Sequence, residues 1–274
     1  LSSGKRRDVD MTQGNILRHI ISFAIPLLVG NLFQQMYNTV DTIIVGRFVG
    51  TQALAAVGST GALISLLNGF FIGLSSGATV LVSQFFGACD KTGVKKALHS
   101  GIGLSLVLGL LITLLGLCFG PRILQMMKTP EDCLEGSILY ARIFFSGAVA
   151  SMIYNMGSSI LRAMGDSKRP FLFIGIASFV NLVLDLLFTG VLGWEVAGAA
   201  WATIIGQAVS FLFSIYYLYN HRASFGFDFK KESFAIDGHY TKMIGALGTP
   251  MAIQSGCINL SMLFVNSLIN QVGV

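Results

Sequence analysis

Charge is what this sequence has least of. Asp, Glu, Lys and Arg together make up 11% of its 274 residues, against roughly a quarter in ordinary water-soluble domains. That scarcity excludes a water-facing surface over most of the chain. Combined with 53% hydrophobic residues, it also excludes disorder. Cysteine is sparse too. Cys89, Cys118, Cys133 and Cys257 form no CxxC pair and have no His at metal-ligand spacing, which argues against a disulfide scaffold and a zinc site. No P-loop, HExxH or DDxxD occurs, and the single GxSxG match, Gly73 to Gly77, lies inside a long apolar run rather than at a strand-to-helix turn, so the chain reads as a non-enzyme without a cofactor.

What is present is a series of long apolar runs, with a mean hydropathy of +0.72. The fold class they predict is an all-α polytopic membrane protein. The net charge of +5 comes from basic residues in short loops between those runs, where they orient a membrane protein and give no reason to expect nucleic acid as a partner. The first apolar stretch, from Ile16, is too long for the core of a cleavable signal. Uncharged runs place spans at 20–40, 48–89, 100–121, 170–193 and 196–220, with 143–161 the core of another, the fourth, and a seventh opening at Met243.

The second run is about twice the length that one crossing needs, roughly 20 residues. Basic residues decide between one helix and two. If it is one helix, the loops on the N-terminal side hold fourteen Lys and Arg and the opposite side three, Arg47, Arg122 and Lys128. The positive-inside rule then selects one long tilted helix, with the N-terminus cytoplasmic and the protein in the cell membrane. Gly58, Gly61, Gly69, Gly73 and Gly77 recur along this helix, a spacing that lets helices approach closely in lipid.

An internal repeat runs through the chain. With Pro250 placed on Pro26, Lys242 meets Arg18, Ile244 meets Ile20 and Gly248 meets Ala24. A repeat of six helices runs parallel to its first copy, because six is even. The expected organisation is a cytoplasmic tail at 1–15, a six-helix transmembrane lobe at 16–220, a cytoplasmic linker at 221–239 and the first helix of a second lobe at 240–274. The rest of that lobe is missing from the chain, and twelve helices are expected in all. A native seven-helix receptor or channel is the competing organisation.

Two acids interrupt the apolar spans, Asp41 and Asp185. A carboxylate at mid-membrane costs about 3 kcal/mol on insertion scales and marks function by default. Both have polar company at helical spacing. Gln34, Asn38 and Asp41 share one face of the first span, with Tyr37 four residues before Asp41; Asn181 precedes Asp185 by four; Thr203 precedes Gln207 by four. At about 1.5 Å per residue, both acids fall in the outer half of the membrane, where they can face one cavity. Two carboxylates, an amide and a hydroxyl suit a proton or a hard cation such as Na⁺. An interfacial cap at Asp41 and a structural hydrogen bond at Asp185 are the plainer alternatives. Pro26 kinks the first span and is a candidate hinge.

These residues carry a resemblance. Pro26 followed by Tyr37-Asn38-Thr39-Val40-Asp41, the run Ala53 to Gly58, Leu161-Arg162-Ala163-Met164-Gly165-Asp166 before Pro170, Asn181 to Asp185, and Gly198 to Thr203 are similar, in order and spacing, to the multidrug and toxic compound extrusion (MATE) family. The resemblance implies twelve helices in two lobes and exchange of H⁺ or Na⁺ for organic, often cationic, drugs. It implies small-molecule substrates, the bilayer as the other partner and no obligate protein partner. It also implies a cation site at Asp41, Asn181, Asp185 and Thr203, with no metal beyond Na⁺ there. Gln34, Tyr37, Asn38 and Gln207 are the expected polar support. A lipid-linked precursor flippase of the same superfamily is the alternative, although no group of basic residues marks a central cavity here.

Overall fold

The computed structural model describes residues 16–48, 50–126, 129–166, 168–220 and 237–272. The expected tail at 1–15 and most of the expected linker, 221–236, lie outside the described residues. All regular structure among the described residues is helical: α1 Ile16–Phe48, α2 Thr51–Gly87, α3 Lys91–Met126, α4 Glu131–Ser146, α5 Ala148–Ala163, α6 Lys168–Asp185, α7 Glu195–Asn220 and α8 Gly238–Val272. A π-helical turn, Leu186–Val191, continues α6. Among the described residues, five helices are individually long and apolar enough to cross a bilayer, and α4 with α5 is long and apolar enough for a sixth if the bent pair is one span.

The breaks follow local chemistry. Gly50, at φ 100°, separates α1 from α2, a conformation that glycine adopts without steric penalty. Beyond it α2 runs unbroken for 37 residues, one helix as the charge distribution predicts. Asp90 then caps α3, its Oδ1 accepting from the backbone N–H groups of Thr92 at 3.0 Å and Gly93 at 2.9 Å. Asp166 does the same for α6, accepting from the Arg169 N–H at 3.2 Å.

The fourth crossing differs from the expected span at 143–161. It starts at Glu131 and bends by 51° between α4 and α5. The bend falls at Ser146-Gly147, a pair that breaks helices by freeing a backbone carbonyl. Ser146 Oγ donates to the Ile143 carbonyl at 2.6 Å. A Cβ on Gly147 would stand 2.8 Å from the Ile204 side chain of α7, so glycine is what lets the bent helix seat on α7. Hydropathy missed α4 because the helix is two-faced. Glu131, Asp132, Glu135 and Arg142 mask a buried row of Cys133, Ser137, Tyr140, Ala141 and Phe144.

Packing assigns the glycines. Gly69, Gly73 and Gly77 of α2 face α8: a Cβ on Gly73 or Gly77 would collide with the backbone of Ala252 or Gly248, and one on Gly69 would stand 2.6 Å from Asn259. A Cβ on Gly58 or Gly61 would meet nothing within 4 Å among the described residues, so the close approach expected of all five belongs to three. Leu81 and Val82 of α2, Leu98 of α3, Met156 and Ile160 of α5, and Ile244 of α8 form one buried core. On the other side of the bundle, Gly198 and Gly206 of α7 abut Phe188–Thr189 of the π turn and Ala177–Asn181 of α6. That second contact closes the bundle around the acids.

Candidate functional site

Asp185 is the last residue of α6 and is completely buried. The helix widens immediately after it. The Thr189 hydroxyl donates back to the Asp185 carbonyl at 2.5 Å, and the π turn begins at Leu186. Such turns are frequent at functional sites. Asn181, one turn earlier, is buried and directs its Nδ2 to Thr203 Oγ1 at 3.5 Å. Thr203 spends its own hydroxyl proton on the Ala199 carbonyl at 2.9 Å, which leaves its lone pairs turned to the site. Gly206 permits this arrangement, since any Cβ there would press on Asn181 Cβ at 3.0 Å.

Asp41 reaches the same place from α1. Its carboxyl faces that of Asp185. Both oxygens of Asp185 and one of Asp41 are buried, with no N–H or O–H donor among the described residues. A buried carboxylate normally collects such donors or a cationic partner. Two carboxylates that face each other without either need a proton or a cation between them. No third Asp, Glu, His or Cys joins them into a three-ligand metal centre among the described residues. Two carboxylates, one amide and hydroxyls suit H⁺ or Na⁺ better than a transition metal.

The structure therefore brings Asp41, Asn181, Asp185 and Thr203 together, and it adds Tyr140. That residue, buried on α4, turns its hydroxyl towards Thr203 and into the field of both carboxylates. It was missed because the fourth span was expected to begin at Ile143. The signal was available in the row Cys133, Ser137, Tyr140, Ala141 and Phe144, which repeats at helical spacing. The expected supporting residues divide. Gln34 is exposed on α1 and is not brought to the pair, whereas the side chains of Tyr37 and Asn38 lie outside the described residues. Gln207 lies one turn beyond Thr203 on α7, where its Oε1 accepts from the Ser151 hydroxyl of α5. Pro26 sits inside α1 without interrupting it.

Comparison with known proteins identifies the family. The MatE family model matches residues 26–187, a stretch that starts at Pro26 and ends in the π turn. The probable multidrug resistance protein YpnP of Bacillus subtilis (strain 168) is 30% identical over 268 residues, covering 96% of this chain and 58% of YpnP. A multidrug resistance MATE family transporter of the MOP superfamily, solved in an outward-facing conformation, is 31% identical and superimposes with a TM-score of 0.89, over 97% of this chain and 59% of that one. An inward-facing conformation of a transporter described in the same words, also 31% identical, gives 0.80 over 93% and 57%. The chain thus spans somewhat over half the length of the relatives it matches. Matched over more than half its own residues, through the helices that bring Asp41 and Asp185 together, this chain belongs to the MatE family of multidrug and toxic compound extrusion transporters.

Proposed function

We propose that this chain supplies the first lobe of a secondary active multidrug efflux antiporter, which exchanges H⁺ or Na⁺ for organic, often cationic, drugs by alternating access. The observation that carries the proposal is the facing of buried Asp185 and half-buried Asp41, with both Asp185 oxygens and Oδ1 of Asp41 buried without a donor among the described residues. Empty, the pair repels itself; loaded with one proton or one Na⁺, it draws α1 towards α6 and α7. The coupling ion therefore changes helix packing directly, which is what a pump needs to bias two conformations. The drug substrates enter the proposal through the relatives' names, multidrug resistance and multidrug export proteins.

Orientation follows the basic residues, with the N-terminus cytoplasmic and the acid pair in the outer half of the membrane. The lobe superimposes better on an outward-facing relative, at 0.89, than on an inward-facing one, at 0.80. In that orientation the pair loads from outside. A second lobe, begun by α8, completes the drug cavity, and Pro26 is the pliable point of α1.

The test is ion-driven dye efflux in vesicles holding the full-length protein, with H⁺ and Na⁺ gradients imposed separately. Asp41→Asn and Asp185→Asn each keep size and polarity but remove the charge. Each lowers driven efflux by at least about a hundredfold while leaving the protein folded and membrane-inserted. Efflux at the unmodified rate in both variants refutes the proposal.

A further inference from the structure

A polar ladder leads from the acid pair towards the opposite end of the bundle. On α5 the residues Ser151, Tyr154, Asn155, Ser158, Ser159 and Arg162 fall three and four apart and form one stripe. On α7 the residues Thr203, Gln207, Ser210 and Ser214 do the same. The two stripes meet. Ser151 donates to Gln207, and a Cβ on Gly157 of α5 would stand 2.6 Å from Ser214 Oγ, so glycine brings the helices together at that level. Asn155 Nδ2 donates to the Ser151 carbonyl at 2.8 Å. At the far end, the Arg162 guanidinium donates to Ser159 Oγ at 2.9 Å.

Between these two ends the hydroxyls lack partners. Ser158 and Ser214 are 2% and 1% exposed, and neither Oγ has a hydrogen bond among the described residues, nor has the buried Tyr154 hydroxyl. The Tyr154 and Ser158 hydroxyls stand close enough for a weak mutual contact that falls short of a well-formed hydrogen bond, and Tyr154 senses Arg162. Folded proteins rarely leave a buried hydroxyl without a well-formed hydrogen bond, since its lost hydration then goes uncompensated. Water is what satisfies such groups where the site is polar. Three of them lie on the two facing stripes beyond the Ser151–Gln207 hydrogen bond and offer positions for bound water.

We infer that the seam between these stripes is the route by which a proton leaves the Asp41–Asp185 pair for the cytoplasm. The inference rests on the antiport reading above and sharpens it, because it selects H⁺ as the coupling ion. At each hop one O–H bond breaks as the next forms, along water and the hydroxyls of Ser151, Tyr154, Ser158 and Ser214; Gln207 and Asn155 orient the chain by hydrogen bonding. The seam holds no carboxylate among the residues named, and it ends at the fixed positive charge of Arg162. The charge of Arg162 opposes an excess proton and Na⁺ alike, so what separates them is dehydration: Na⁺ would have to shed its water for neutral oxygens, whereas a proton hops along hydroxyls and water. The competing exit is the drug cavity between the lobes, which would make this seam irrelevant to turnover.

The experiment uses the full-length protein in proteoliposomes, with dye efflux driven by a pH gradient. Tyr154→Phe removes one oxygen and nothing else; Ser158→Ala combined with Ser214→Ala removes two. Each lowers the maximal rate by at least about tenfold, in line with the loss of a positioned proton carrier. Dye affinity, measured by equilibrium binding in detergent, stays within twofold. The solvent deuterium isotope effect on the maximal rate rises, since proton transfer has become limiting. Wild-type rates in both variants, in a protein that Asp185→Asn still inactivates, overturn the seam and leave the acid pair standing. Full efflux in Asp185→Asn overturns the antiport reading itself. Should the double variant fail to fold, Tyr154→Phe decides alone, and efflux driven equally well by Na⁺ counts against the seam.

Discussion

Two of the proline-bearing long helices, α1 and α8, which the expected repeat would pair, are held in opposite ways. Pro26 and Pro250 occupy matching positions in helices of 33 and 35 residues. Helix α8 is bound along α2: Gly248 presses on Leu74, Ile244 joins the main core, and Asn259 donates to the Ser65 carbonyl at 3.2 Å. Helix α1 packs chiefly on α6. It touches Phe171 through Gly30, buries Ile44, and leaves Leu32 and Met36 66% and 68% exposed. The helix that carries the site acid is thus the one with fewer ties. A change of charge at Asp41 can move α1 without tearing a glycine-packed interface, whereas α8 is fixed to the first lobe.

The largest effect comes from breaking the tight side of that comparison. Gly77→Leu on α2 places a side chain into the backbone of Gly248. Backbone cannot yield as a flexible side chain does, so the variant loses about 3 kcal/mol or more, seen as a lower melting temperature and a poor yield of monodisperse protein. Gly58→Leu, on the same helix but where a Cβ would meet nothing within 4 Å among the described residues, leaves both unchanged. Equal damage from the two would mean that helix propensity rather than α8 sets the need for glycine.

The prolines test the loose side. Pro26→Ala restores a backbone donor inside α1 and stiffens it. The maximal efflux rate falls about fivefold and the half-saturating drug concentration shifts with it, as hinge changes do. Pro250→Ala, on a helix already fixed to α2, changes the rate by less than about twofold and holds or raises the melting temperature, because proline is the least favourable residue in a helix interior. Equal loss of efflux in both variants would remove the distinction between the two helices.

Most of this was legible in the chain because lipid imposes a simple rule: a charge inside an apolar run must have a reason. That rule singled out Asp41 and Asp185 from thirteen acids, and helical spacing drew in Asn181 and Thr203. Glycine periodicity marked α2 as a packing helix but could not say which glycines have a partner, since that depends on where α8 lies. Tyr140 and the bend at Gly147 were illegible for a different reason. Hydropathy averages around a helix, and α4 sets its acids on one face and its buried row on the other. The π turn after Asp185 left no pattern at all: Leu186 to Val191 reads as ordinary apolar helix. Gln34 shows the converse failure, a correct helical spacing on a face that the fold leaves exposed.

The smallest effect concerns how α8 is secured where it begins. Lys96 of α3 pairs with Asp237 at 3.7 Å, with the two side chains 52% and 35% exposed, and its ammonium stands 5.7 Å from the centre of the Tyr240 ring. Tyr240 also meets Phe85 of α2, at 5.6 Å between ring centres. An ion pair this exposed contributes between nothing and about 1 kcal/mol, because water and salt screen it and two long side chains must be ordered to make it. Burial of Ile244 and the backbone contact at Gly248 hold α8 far more strongly. Lys96→Ala therefore lowers the melting temperature by less than about 3 °C and leaves ion-driven efflux at its unmodified rate, and added salt does not widen the gap. A larger fall, abolished by salt, would show that α8 is docked by charge at its first turn instead of by glycine packing along its length.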